Sequence, residues 1–351
     1  MSGALIDLVS KGVQDVYLTG EPQVSFFRQN YKRHTNFSMK PVELNPVGVQ
    51  QAGNEIVLPI ERKGDLLTYV WCSTDTLGVG TAPTSNIKVT SSGSTEFSLH
   101  IGGVEIDRQD GFFSNYIWPR CMASGSSKNG RPSDPQDFPD TSVFPLHFFH
   151  CDSQTTPLPL VAMQYHNAEI RVKHPTASAP APVKYFANYV MLDTDERKFF
   201  TDNRQELLIT QVQKVTATAT GADLMYLNHP VKALTWGHDN DPSAMSNVQF
   251  RINGTDVFDT KMPAKYFNQI QQYHHARFSK PIGNPNDACM YSFGYNSSDH
   301  QPTGTCNFSR LDNAKITWTA DGGTNPPDSV YAVNYNILVV DQGLTGLKFS
   351  N

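Results

Sequence analysis

CMYSFGYNSSDHQPTGTCNFSRLDNAKITW, residues 289–318, decides how the rest of this chain is read. Met290 to Phe293 is a short run of large, mostly apolar residues of strand type. A polar loop over 296–305 follows, broken by Pro302 and Gly304. Residues 314–318 then alternate apolar and polar, which puts Ile316 and its neighbours on opposite faces of a strand. The last six residues, NAKITW at 313–318, are echoed by NAEIRV at 167–172, an offset of 146.

Four more matches fall in the same order. Asn188-Tyr189 and Asn334-Tyr335 sit in strand-like runs, again 146 apart. FSLHIGGVEI at 97–106 resembles VQFRINGTDV at 248–257, offset by 151. Each is followed by an aromatic-rich, helix-compatible segment, GFFSNYIW at 111–118 and AKYFNQIQQY at 264–273. LLTYVW at 66–71 resembles VKALTW at 231–236, offset by 165. A constant order with drifting offsets is what a duplicated module with unequal loops gives. The longer connection belongs to the first half, where 76–94 is rich in Gly, Ser, Thr and Pro. The period is too long for a solenoid and implies two like domains in tandem.

The runs are short, separated by Pro, Gly, Asn and Asp, and not interleaved with long helices, which disfavours a parallel α/β sheet. About eight strands per half predict an all-β fold of two tandem eight-stranded jelly-roll sandwiches, a double jelly roll with short helices in its loops. A pair of immunoglobulin-like domains is the competitor, but neither half has the Cys…Trp…Cys pattern. The expected division is an arm over 1–24, a first jelly roll over 25–193, a short linker helix over 194–205, and a second jelly roll with its tail over 206–351. Residues 3–13 place Ala4, Leu5, Leu8 and Val9 on one side of a helix stopped by Gly12. Residues 26–37 read as a first strand with packed aromatics. Further strands are expected at 143–149, 158–164, 169–173, 185–192 and from 206, with a polar loop at 124–139. Asp193 caps the linker helix, with Glu196 three residues on. Residues 341–351 read as a short, Gly-broken tail.

Composition narrows function. Aromatics are 11% of residues, which argues for a packed rather than a disordered chain. The net charge is −5, and the nearest approach to a basic cluster is Arg28, Lys32, Arg33 and His34. A nucleic-acid binder needs a basic face to neutralise phosphates, so direct nucleic-acid binding is not expected. Cys72, Cys121, Cys151, Cys289 and Cys306 are odd in number and form no Cys-x-x-Cys pair, so reduced thiols in a cytosolic setting are expected. No secretory signal is seen at the start, and no apolar run approaches the roughly 20 residues that span a bilayer.

No constellation carries a reaction. His147, His150, Cys151 and Asp152 form the best-looking metal cluster, but in a strand the two histidines point to opposite faces. His274 and His275 on a helix do not face each other. Asp193 and Asp195 could pair as carboxylates, but capping explains them without a ligand. There is no His-x-His, Gly-x-Ser-x-Gly or Walker-type phosphate loop. The catalytic, cofactor and metal expectation is none. Asn36, Asn253, Asn296 and Asn307 open Asn-x-Ser/Thr triplets, read as turn residues rather than glycan acceptors.

Several blocks in order resemble a known family. They are QDVYLTG at 14–20 with Pro22, Phe26-Phe27, Tyr31 and RHTNF at 33–37; LPL at 158–160 with QYH at 164–166; and YVMLDTDER at 189–197. Near the end come YSF at 291–293, QP at 301–302, GTCNFSR at 304–310, DNA at 312–314, NYN at 334–336 and GLTGLKFSN at 343–351. The chain resembles the double jelly-roll major capsid proteins of nucleocytoplasmic large DNA viruses, over nearly its whole length. That resemblance implies two fused jelly rolls, three chains per pseudo-hexagonal capsomer, and an icosahedral shell enclosing a membrane. It implies no enzyme activity and a place in the virion capsid after synthesis in the host cytoplasm. The implied partners are further copies of the chain, with minor capsid proteins and the inner membrane layer reached through the N-terminal arm. The chain is shorter than many relatives, so smaller outward loops are expected. The alternatives are a minor or paralogous capsid protein, a carbohydrate-binding β-sandwich, or a cupin-like enzyme that would need bound metal.

Overall fold

The alternating segments of the first half become eight strands in the computed structural model, which describes residues 3–29, 31–74, 93–123, 143–176, 183–237, 245–276, 288–320 and 326–350. They are β1 (Phe37–Leu44), β2 (Glu55–Pro59), β3 (Leu66–Thr74), β4 (Glu96–Ile101), β5 (Val104–Asp110), β6 (Val143–Pro145), β7 (Ala168–Lys173) and β8 (Val183–Leu192). They form two antiparallel sheets in the orders β1-β8-β3-β6 and β2-β7-β4-β5. The chain crosses repeatedly between the sheets, the winding of a jelly roll. Every second residue faces inward: Phe97, Leu99 and Ile101 on β4; Ala168, Ile170 and Val172 on β7; Tyr185, Ala187 and Tyr189 on β8.

The second half repeats the winding with β9 (Gln205–Thr216), β10 (Gly221–Asp223), β11 (Pro230–Trp236), β12 (Met245–Ile252), β13 (Thr255–Asp256), β14 (Met262–Pro263), β15 (Cys289–Ser292), β16 (Cys306–Asn307), β17 (Ala314–Ala320), β18 (Ser329–Asp341) and β19 (Leu344–Leu347). One sheet runs β15-β11-β18 with β9 on the far side of β18, and the other runs β10-β17-β12-β13. These are the eight jelly-roll positions again, with β14, β16 and β19 added at the margins.

The repeat holds in structure, but not in one register. Ile170 and Ile316 both point inward, as do Leu99 and Phe250. The other two strand matches are one residue out. Cross-strand pairs Val70–Ala187 and Cys72–Tyr185 correspond to Leu234–Ala332 and Trp236–Val330. Tyr189 is therefore fully buried in the first core, whereas Tyr335 turns its ring to Lys232 on the other side. Trp236 is a core residue, but Trp71 faces out and stacks on Phe186 at 4.4 Å. A one-residue slip exchanges the faces of a strand, so similar letters can occupy opposite sides.

Several sequence expectations are corrected. Among the described residues of 26–36 there is no strand; β1 starts at Phe37, and Phe26 and Phe27 are exposed, because Arg28, Lys32 and Arg33 break any two-residue alternation. Residues 158–164 are turns with one bridge, Leu67–Leu158, since Pro157 and Pro159 lack the N–H a ladder needs. The run at 143–149 is only β6, with a helical turn at Phe149–Asp152 after it. The tail is a hairpin: Gln342 and Gly343 take φ of 48° and 83°, and β19 folds back on β18. The linker helix spans Thr194–Asp202, and Asp193 Oδ1 accepts the Thr194 N–H at 2.7 Å. Arg197 anchors it to buried Asp65 at 2.9 Å. The loop expected at 124–139 and residues 76–92 of the other lie outside the described residues. Residues 1–36 form a separate unit, with helices at Gly3–Val9 and Val16–Thr19; the first stops at Val9 rather than Val13.

Candidate functional site

Two strands run past the sandwich to which they belong. β9 has 12 residues and β18 has 13, paired along their whole overlap. At one end Val330 and Ala332 fill the second core; at the other, Leu338, Val340 and Ile209 fill the first. Burying each of these last three side chains is worth about 1.5–3 kcal/mol. The middle of the same face is polar. Gln211 Oε1 accepts from Asn336 Nδ2 at 3.0 Å and from Asn334 Nδ2 at 3.3 Å, and Gln213 Nε2 donates to Asn334 Oδ1 at 2.9 Å. Asn334 is fully buried, so these partners are what allow a polar belt between two apolar cores.

β5 of the first sandwich fastens to this strand pair. Asp107, only 3% exposed, accepts the Val212 backbone N–H at 2.8 Å and Gln109 Nε2 at 2.8 Å. Gln211 donates to the Ile106 carbonyl. Asp110 Oδ2 accepts from Lys214 Nζ and from the Tyr331 hydroxyl, both at 2.7 Å, while Oδ1 accepts the Phe113 N–H at 2.8 Å. Burial pushes the Asp107 carboxyl up to about 7, outweighing the hydrogen bonds that favour its charge. Burial and the Asp110 carboxylate hold the Tyr331 hydroxyl well above its usual range, so it stays a donor. A cavity of about 300 Å³ lies here, lined by Glu96, Glu105, Asp107, Arg108, Lys214 and Tyr331 among others.

The aromatic segment after β5 completes the seam. It is a π-helical stretch, Phe113–Ile117, followed by an α-helical turn, Trp118–Cys121. Phe112, Phe113, Ile117 and Cys121 pack on Ala233, Met290, Tyr331 and Val333, the outer face of the sheet containing β11, β15 and β18. Ser297 Oγ donates to the Cys121 carbonyl at 2.7 Å across the same seam. The two sandwiches are thus joined by a shared strand pair, a buried carboxylate clamp and an apolar plug. Such a joint fixes their mutual angle.

A family model of the large eukaryotic DNA virus major capsid protein matches residues 240–346, and one of the major capsid protein N-terminus matches 25–186. The major capsid protein of Pyramimonas orientalis virus is 30% identical over the full length of both chains. That of Paramecium bursaria Chlorella virus 1 is 28% identical, again over both full lengths. The chain belongs to the major capsid protein family of large eukaryotic DNA viruses. Solved structures agree on the fold. PBCV-1 VP54 superposes with a TM-score of 0.76 at 24% identity, covering 93% of this chain and all of that one. The Faustovirus major capsid protein gives 0.63 at 11% identity, covering 96% of each.

The sequence-predicted chemistry of this major capsid protein is dispersed. His147 stacks on Trp118 with centroids 3.7 Å apart, and buried His150 Nδ1 lies 2.5 Å from the Thr68 carbonyl. A helical turn, not a strand, separates their directions. His275 Nδ1 bonds the Gly294 carbonyl at 3.0 Å, and His274 is exposed. Among the described residues no three His, Cys, Asp or Glu side chains form a metal-sized group. Asn253, Asn296 and Asn307 each accept backbone N–H groups through their side-chain oxygens, as turn residues do. All five cysteines are free thiols, and burial pushes Cys121 up to about 12. Sequence reasoning missed the seam carboxylates and the shared strands. The usable signal was the length of QELLITQVQKVT at 205–216, 12 residues of strand type unbroken by Gly or Pro, too long for a strand serving one sandwich.

Proposed function

We propose that this chain is the tile of an icosahedral capsid shell: three copies close into a capsomer of pseudo-hexagonal outline, and capsomers pave the shell. The observation that carries this is the seam. It holds two like sandwiches of one chain at a fixed angle, so a ring of three chains presents six similar edges. Its role is mechanical rather than catalytic, and its place is the virion after synthesis in host cytoplasm. The same proposal includes the division into an arm over 1–24, jelly rolls over 25–193 and 206–351, and a linker over 194–205. The arm would reach minor capsid proteins or the inner membrane layer, and its exposed Leu5, Leu8 and Val9 support that reading. No contact with the genome is part of it.

Light scattering on the purified chain, with negative-stain images of the same peak, tests the proposal. The expected mass is three times 39.0 kDa with a hexagonal outline. A monomer at every concentration overturns it and favours a minor capsid or sugar-binding role.

A further inference from the structure

The seam has an unfilled counterpart. The segment after β14 repeats the one after β5 turn for turn: a π-helical stretch, Tyr266–Ile270, then α-helical Gln271–His275. The buried plug residues Phe112, Phe113, Ile117 and Cys121 correspond to Lys265, Tyr266, Ile270 and His274, each 153 positions later. Phe267, Gln271 and Gln272 hold this second segment to its own sandwich. Its outward face is open, with Ile270 49% and Tyr273 71% exposed.

The receiving face is also repeated. Ala233, Met290 and Tyr331, buried under the plug, occupy the sheet positions that Tyr69, Pro145 and Phe186 hold in the first sandwich. There the face is a half-open aromatic shelf: Tyr69 is 48% exposed, and Trp71 stacks on Phe186. The charges run in reverse. Lys214 lies across the ladder from Tyr331 and pairs with Asp110, just ahead of the plug. The residue across the ladder from Phe186 is Glu43, and the second segment is led by Lys261 and Lys265, all three exposed. Glu43 lies 3.9 Å from Lys184.

We propose that the outward face of residues 264–275 docks on the Tyr69–Trp71–Phe186 shelf of a second copy, with Lys261 and Lys265 meeting Glu43 of that copy. Each chain then carries a donor on its second sandwich and an acceptor on its first. Such a head-to-tail contact does not stop at a pair, and where its rotation closes it makes a ring. The assignment rests on the self-assembly proposed above.

The test uses Ile270→Glu, which spoils the donor, and Tyr69→Glu, which spoils the acceptor. Both positions are exposed, and unchanged thermal unfolding checks that each variant folds. Each alone is expected to lose the trimer mass. Mixed in equal amounts, they retain one intact contact and are expected to give a species of twice 39.0 kDa. Variants that keep the trimer mass, or a mixture that stays monomeric, overturn the assignment while the wild-type trimer stands. A monomeric wild type instead removes the self-assembly reading itself and this contact with it.

Discussion

The two sandwiches share a winding but not an independence. The second closes its core with its own residues, among them Trp236, Phe250, Phe267 and Trp318, and sets Phe258 edge to face against Phe267 and Tyr291. The first closes its core only by receiving Ile209, Leu338 and Val340 from the second's strands. In return it sends the 112–123 plug onto the second's outer sheet face. Duplication gave two copies of a module; the difference between them is the joint.

That asymmetry can be broken most severely at Leu338. Leu338→Ala is expected to cost about 2–5 kcal/mol. Although the residue belongs to β18, hydrogen exchange should show lost protection in β2 and β7 of the first sandwich as well. Loss confined to the second would refute the shared-strand account.

The clamp offers a second, pH-dependent handle. The folded Asp107 carboxyl, at about 7, lies above the roughly 3.9 of a free aspartate, so the folded chain holds this proton more tightly than the unfolded one. Its contribution is fully present below about pH 4 and is lost as the pH rises through 7. Wild type should therefore lose about 2 kcal/mol from this residue between pH 5 and 8. In Asp107→Asn that component of the slope should vanish from denaturant unfolding at the two pH values.

Tyr331→Phe deletes one donor to Asp110 while Lys214 remains, and should cost about 1 kcal/mol in urea unfolding. The smallest effect is a labelling contrast between the halves. Cys151 in the first and Cys306 in the second are half-buried, whereas Cys72, Cys121 and Cys289 are buried. A maleimide under native conditions should modify the first two only, as mass spectrometry of tryptic peptides would show.

Much of this was legible in the letters. Alternation at 97–101, 168–173 and 314–318 reports inward faces directly, because those strands have one buried side each. It failed at Tyr189/Tyr335 and Trp71/Trp236, where local bulges shift the register and a matched residue faces the other way. The seam was hidden for a different reason. Asp107 and Asp110 look like ordinary surface carboxylates of an edge strand, and only the arrival of β9, some hundred positions later, buries them. Gln211, Asn334 and Asn336 likewise read as solvent-facing until each is seen to satisfy the others.

The reach of β18 into the first core has a consequence for the order of events during synthesis. A ribosome that has delivered the first 330 residues has made every strand of the first sandwich, yet Leu338 and Val340 are still to come. Until they emerge, the first core stands open at one end and its apolar lining faces water. A chain broken off between Ala332 and Leu338 is therefore expected to expose the apolar lining of its first sandwich, although every strand of that sandwich's own has been made.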